Sequence, residues 1–123
     1  MATILIVDDS KAIRLELGDA LAENGHVVVE GVDGEDGLRQ AKGHPEIDLI
    51  IADYNMPGMN GIRMCEEIKR IESFKNTPIM ILTSHSDSNL KEQGRDVGVK
   101  VWVIKPIIPV KLLFVVDKLL KPR

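Results

Sequence analysis

Four short stretches hold residues that could do chemistry together: the acid pair Asp8-Asp9, Asp53 with the loop Tyr54-Asn55-Met56-Pro57-Gly58, the hydroxyl pair Thr83-Ser84, and Lys105-Pro106. Three carboxylates gathered in one pocket repel each other, which is costly unless a cation sits among them. A hard, oxygen-preferring ion such as Mg2+ meets that need, because it is held by one or two carboxylates, waters and often a phosphate. Asp9 and Asp53 are the expected direct ligands and Asp8 acts through a water; a backbone carbonyl in the loop after Asp53 could supply another oxygen. Lys105 adds a fixed positive charge and Thr83 a hydroxyl, so the set is equipped to accept a phosphoryl group as well as a metal. The charges of these acids, the lysine and Mg2+ sum to roughly zero, and a phosphoryl group on one aspartate adds only about one negative charge. A carboxylate nucleophile is established chemistry for acyl-phosphate intermediates, and phosphoryl transfer asks mainly for positioning and electrostatic stabilisation.

For these groups to meet, secondary structure must deliver them to one edge of a sheet. Thr3 to Val7 is a continuous apolar run ending at Asp8-Asp9, Leu49 to Ala52 ends at Asp53, Ile79 to Leu82 ends at Thr83, and Lys100 to Ile104 ends at Lys105. Runs of this kind belong to parallel strands covered on both faces. Val27-Val28-Val29 is a further short strand. Between the strands lie helical patterns: Lys11 to Asn24, capped by Ser10; a helix from Asp33-Gly34 to Gly43 carrying Leu38 and Ala41; one with an inner stripe of Ile62, Cys65, Ile68 and Ile71; Asp87 to Val97; and Pro109 to about Leu120. The Asp87 helix is the poorest, with Gly94 inside it and only Leu90 and Val97 as anchors, and is expected to be the most easily displaced. Five strand-helix alternations with short connections predict an α/β doubly wound parallel sheet with five helices in three layers, α/β/α. Ligands of such sheets bind outside the carboxyl ends of the strands, where all five candidate residues fall.

A chain of 123 residues, 44% hydrophobic, has the size of one domain, expected over 1–123. A net charge of -3 and no basic, aromatic-rich stripe argue against direct nucleic-acid binding. The apolar runs are too short to span a bilayer and no signal pattern opens the chain, so a cytoplasmic protein without membrane insertion is expected. The single cysteine, Cys65, reads as a helix packing residue in a reducing compartment. His26 and His44 read as surface loop residues, and no histidine is expected to bind metal.

The motifs in this order, Asp8-Asp9, Asp53 followed by Met56-Pro57-Gly58-Met59-Asn60-Gly61, Thr83-Ser84 and Lys105-Pro106, resemble the receiver domain of bacterial two-component response regulators across essentially the whole chain. The resemblance implies a flavodoxin-like sheet of order 2-1-3-4-5. It implies that Asp53 is the phosphoacceptor, that Asp8 and Asp9 organise Mg2+, and that Asn55 lends its main-chain carbonyl to the metal. Thr83 and Lys105 then bind the acyl phosphate, with a cis Lys105-Pro106 bond. Trp102 stands at the family's switch aromatic, turning inward as Thr83 moves toward the phosphoryl group and altering the face of the fourth helix, fifth strand and last helix. Indole is larger than the usual ring, and Ile107 replaces the common Phe. Positions 85 and 55, here His85 and Asn55, tune acyl-phosphate hydrolysis in the family.

The implied partners are a histidine kinase as phosphodonor, a downstream target protein, for which the flagellar motor switch of single-domain chemotaxis regulators is one candidate, and a phosphatase as another. The implied role is a stand-alone signalling module, since the chain stops after the last helix; a phosphorelay intermediate or a receiver excised from a larger protein is the alternative. An enzyme of another class, a Mg2+-dependent aspartyl phosphohydrolase, is disfavoured because Asn55 stands where a second acid would serve as acid/base and no cap insertion encloses a substrate. A scaffold that is never phosphorylated is disfavoured by the intact site. Independently of the family, Leu112, Val116, Leu119 and Leu120 suffice as the inner stripe of the last helix. Phe114 is then expected to face outward beside Leu113 as a contact patch, unless its ring folds back over the neighbouring helix.

Overall fold

Apolar runs interrupted at helical spacing fold here as alternating strands and helices, and the computed structural model describes residues 1–121. The domain expected over 1–123 extends two residues beyond these. In order the elements are β1 (Thr3–Val7), α1 (Lys11–Glu23), β2 (Val27–Gly31), α2 (Gly34–Gly43), β3 (Leu49–Ala52), α3 (Gly61–Lys69), a 3-10 turn (Glu72–Phe74), β4 (Ile79–Thr83), α4 (Ser88–Asp96), β5 (Val99–Ile104) and α5 (Pro109–Leu120). All strand pairs are parallel, and the sheet runs β2-β1-β3-β4-β5, the doubly wound order expected. Among the described residues no helix is long and apolar enough to cross a membrane.

Strand alternation sorts the core into two layers. Leu5, Val7, Ile50, Ala52, Ile79 and Ile81 point to the face covered by α2 and α3, where Met64, Cys65 and Ile68 meet them. Ile4, Ile6, Leu49, Ile51, Met80 and Leu82 point to the other face, against Leu17 and Leu21 of α1 and Leu112 and Val116 of α5. The strands are buried on both sides because each parallel crossover lays a helix on the sheet.

Three local departures have physical causes. The strand expected as Val27-Val28-Val29 runs on to Gly31, because its ladder with β1 continues to the pair Val7–Gly31. Ile71 lies beyond the end of α3 as the N-cap of the 3-10 turn, whose Phe74 fills the core in place of a longer helical stripe. In α4 the expected anchors Leu90 and Val97 are only half-buried; the buried residue is Gly94.

Two glycines allow α2 to press on β2. A Cβ on Gly31 would lie 2.8 Å from the Gly37 Cα and 3.0 Å from its nitrogen, both main-chain atoms that cannot step aside. Gly31→Ala is therefore expected to cost about 1–3 kcal/mol through overpacking, read as a lower chemical denaturation midpoint with unchanged slope.

Candidate functional site

The strand order reverses between β1 and β3, and the crevice at their carboxyl ends holds the acids. Asp53 follows β3, and its amide donates to the Val7 carbonyl at 3.0 Å, so the ladder carries on to the last residue before the loop. Asp8 and Asp53 are 2% and 9% exposed, while Asp9 is open to solvent. One carboxylate oxygen from each of the three lies within 4.8 Å of the others. Lys105 Nζ donates to Asp8 Oδ2 and to Asp53 Oδ2, both at 3.0 Å. The Lys105-Pro106 bond is cis, as expected. Thr83, fully buried at the end of β4, accepts the Lys105 amide on its carbonyl at 2.8 Å and the His85 amide on its Oγ1 at 3.4 Å. Asp8, Asp9, Asp53, Thr83 and Lys105 are thus gathered at the carboxyl edge. Asn55 joins them through its amide, which donates to Asp53 Oδ1 at 3.3 Å.

Charge is unevenly balanced in this crevice. Burial is the main influence on Asp8 and raises its carboxyl above the ordinary range, against the Ser10 amide and the Lys105 ammonium, which hold it down; the neighbouring Asp53 adds to the rise. Burial alone would depress Lys105, but its hydrogen bonds to Asp8 and Asp53 outweigh that and raise it, so the lysine stays charged. One ammonium faces three acids, and the site retains room in its charge balance for a cation. All the side-chain donors are carboxylate oxygens, which suit a hard divalent ion such as Mg2+, Ca2+ or Mn2+. Asp8, Asp9 and Asp53 are the residues that would hold it.

The contacts of three supporting residues were not legible in the sequence. Gly61, the first residue of α3, donates its amide to the Tyr54 carbonyl at 2.8 Å, and a Cβ there would run into the Asp53 main-chain oxygen, so only glycine lets α3 start against the acid's backbone. The motif position was visible; the close approach was not. Arg14, in the first turn of α1, donates from Nη1 to the Asp8 main-chain oxygen at 2.7 Å and from Nε to Glu30 Oε1 at 3.0 Å. Its signal was a cation at a helix N-terminus, where the dipole disfavours it unless a partner compensates. Gly94 carries the third contact: a Cβ there would meet Trp102 Cζ3 at 3.1 Å.

Trp102 is half-buried on the face shared by β5 and α4, and its Nε1 donates to the His85 main-chain oxygen at 2.8 Å. His85 in turn meets the edge of Tyr54, ring centroids 5.6 Å apart, and Tyr54 lies 6.3 Å from the indole. The His85 main chain thus links Thr83 Oγ1 to Trp102. On α5, Phe114 faces outward at 61% exposure with the Lys118 ammonium 4.9 Å above its ring, so it does not fold back over a neighbouring helix. Leu113 beside it is half-buried and packs on the second core layer.

Residues 4–117 match the family described as the response regulator receiver domain. The response regulator ArlR of Staphylococcus aureus is 38% identical over 106 residues, 86% of this chain and 47% of that protein. The transcriptional regulatory protein AfsQ1 of Streptomyces coelicolor is 34% identical over 107 residues, 87% of this chain and 46% of that protein. The chain spans about half the length of these curated relatives. Among solved structures, the Vibrio cholerae chemotaxis protein CheY4 superposes with a TM-score of 0.92 at 34% identity, covering 97% of this chain and 98% of that one. A chain of the CheX-CheY-BeF3-Mg+2 complex from Borrelia burgdorferi superposes with a TM-score of 0.91 at 27% identity, covering 98% and 90%.

The shared lysine gives the site its clearest energetic signature. Lys105→Met leaves two buried acids without their cation and is expected to cost about 3 kcal/mol at neutral pH. The Asp8 carboxyl then rises further, and a carboxyl raised in the folded state penalises folding only while ionised. The gap between variant and wild type should narrow as pH falls from neutral through the raised Asp8 range, checked by urea denaturation at a series of pH values without divalent ions.

Proposed function

The chain belongs to the response regulator receiver domain family, and from that premise we propose that it is a phosphoacceptor which takes a phosphoryl group from a histidine kinase onto Asp53 and signals by protein contact. The observation that carries this reading is the Lys105 ammonium placed 3.0 Å from both Asp8 Oδ2 and Asp53 Oδ2. It sits within hydrogen-bond reach of the acceptor carboxylate, where it stands ready to hold an equatorial phosphoryl oxygen. As an Asp53 carboxylate oxygen forms its bond to phosphorus, the bond from phosphorus to the donor imidazole breaks and the histidine leaves with the electron pair. Mg2+, when bound, would neutralise charge on the phosphoryl oxygens. Asp8, Asp9 and Asp53 would hold it, with the Asn55 main-chain carbonyl as the proposed further ligand. Thr83 supplies a hydroxyl to the acyl phosphate, and His85 and Asn55 border the path of the hydrolytic water. The domain then assists only its own phosphorylation and dephosphorylation.

Output is proposed through the face of α4, β5 and α5, where Trp102 acts as switch and Leu113 and Phe114 border the contact area. The likeness to CheY4 supports a role of the chemotaxis type, with a motor-switch protein as target and a phosphatase as a second partner, in the cytoplasm. The overlap with only about half of ArlR and AfsQ1 favours a receiver that works within a longer regulator.

Incubation with acetyl phosphate and Mg2+, followed by intact-protein mass spectrometry, should add one phosphoryl group to the wild type and none to Asp53→Asn. An unmodified wild type, or a modified Asp53→Asn, would overturn the assignment. Trp102, the only tryptophan, should report the same event by fluorescence. Cation binding needs ionised ligands. Because burial raises the Asp8 carboxyl, Mg2+ affinity should start to fall at a higher pH than an ordinary aspartate would dictate; fluorescence titration with Mg2+ between neutral and acidic pH measures this.

A further inference from the structure

Asp9 is the one acid of the cluster that the protein leaves open to solvent, and among the described residues no hydrogen bond or ion pair restrains its carboxylate. What places it is the backbone from which its side chain projects. Asp8, by contrast, is gripped on every side. Its amide donates to the Gly31 carbonyl of β2 at 3.2 Å, Oδ1 accepts the Ser10 amide at 2.9 Å, and Oδ2 accepts Lys105. The remaining group, the Asp8 carbonyl, is part of the planar peptide unit that leads into Asp9, and fixing its oxygen fixes the orientation of the Asp9 Cα. That oxygen is where Arg14 Nη1 donates, at 2.7 Å.

The arrangement around Arg14 is a costly one for mere surface chemistry. Its side chain is only 12% exposed, and its Nε is oriented by Glu30 Oε1 at 3.0 Å, on the strand next to β1. A cation in the first turn of a helix opposes the dipole, and a guanidinium withdrawn from water needs compensating hydrogen bonds. Two donors at fixed angles, one to a carboxylate and one to a carbonyl, are what the planar fork of arginine supplies and an ammonium does not. Arg14 therefore ties α1 and β2 to a single peptide plane, the one that carries Asp9.

We propose that Arg14 is a positioning residue for the cation site: by holding the Asp8–Asp9 peptide, it keeps the Asp9 carboxylate beside those of Asp8 and Asp53. Glu30 is its orienting partner. The inference rests on the reading above that the three acids bind Mg2+, and it adds a residue outside the acid, hydroxyl and lysine set.

A double-mutant cycle on the intact chain separates positioning from general stability. Mg2+ affinity is measured by Trp102 fluorescence for wild type, Arg14→Met, Asp9→Asn and the double variant, and amide hydrogen exchange at Asp9 and Ser10 is followed without metal. Arg14→Met is expected to weaken Mg2+ binding about tenfold and to speed exchange at Asp9. In the Asp9→Asn background the same change should alter affinity less than about twofold, since the group it positions is gone. Arg14→Lys, which keeps the charge without the fork, should fall between the two and serves if Arg14→Met does not fold. Equal Mg2+ affinity in wild type and Arg14→Met, or an undiminished loss in the Asp9→Asn background, would overturn the positioning role while leaving the Mg2+ site intact. A wild type that shows no saturable Mg2+ response would overturn the cation reading and this inference with it.

Discussion

A single ammonium placed between two buried carboxylates is the constraint around which this structure is arranged. Lys105 reaches Asp8 and Asp53 at 3.0 Å each, across three strands of the sheet, so the ends of β1, β3 and β5 must stop level with one another. A parallel sheet of order β2-β1-β3-β4-β5 achieves this, because its ladders run to Val7–Ala52 and, after a one-residue shift between Ile79 and Met80, to Thr83–Ile104. The two apolar layers on either face fix that register, since a slip of one residue would turn every core side chain to the wrong side. Burial of Asp8 raises the energy of its ionised state, and the lysine offsets only part of that. The residual imbalance makes the crevice a place where a cation or a phosphoryl group with its cation changes the energy most.

Much of this was legible in the chain. Four of the five strands announce their carboxyl ends by a change from apolar residues to Asp8, Asp53, Thr83 or Lys105, and short connections between alternating periods leave one topology class. What was illegible depends on approach between elements, which periodicity does not encode. Phe74 was passed over because a lone aromatic in a polar segment has no period, yet it fills the core below the 3-10 turn. Arg14 resembled an ordinary helix-surface cation until the Asp8 carbonyl and Glu30 came within reach. Gly94 read as a weakness in α4, whereas its missing side chain makes room for the indole of Trp102.

That last contact shapes how a change in the crevice could reach the surface. From Thr83 Oγ1 the main chain of His85 is one hydrogen bond away, and from the His85 carbonyl the indole of Trp102 is another. The ring then lies against Gly94, the one buried residue of α4. A phenyl ring in place of the indole would have no donor for the His85 carbonyl, so the size of the tryptophan comes with an additional tether. The Thr83 hydroxyl, the His85 main chain, the indole and α4 thus form one continuous set of packed and hydrogen-bonded groups.

The weakness of α4 belongs to the same logic. The helix is nine residues long and carries a glycine in its interior, and its apolar residues are at most half-buried, so its own propensity and packing hold it only loosely. Part of its docking is the contact with Trp102, whose Nε1 is tied to the loop after Thr83. A helix anchored by a deep leucine stripe would stay in place whatever the indole did. One packed through an indole, a glycine and half-buried side chains is held lightly, and mobile elements are drawn from this low-stability end of a structure. The core layers of α1, α2, α3 and α5 supply the stability that lets one helix be held this lightly.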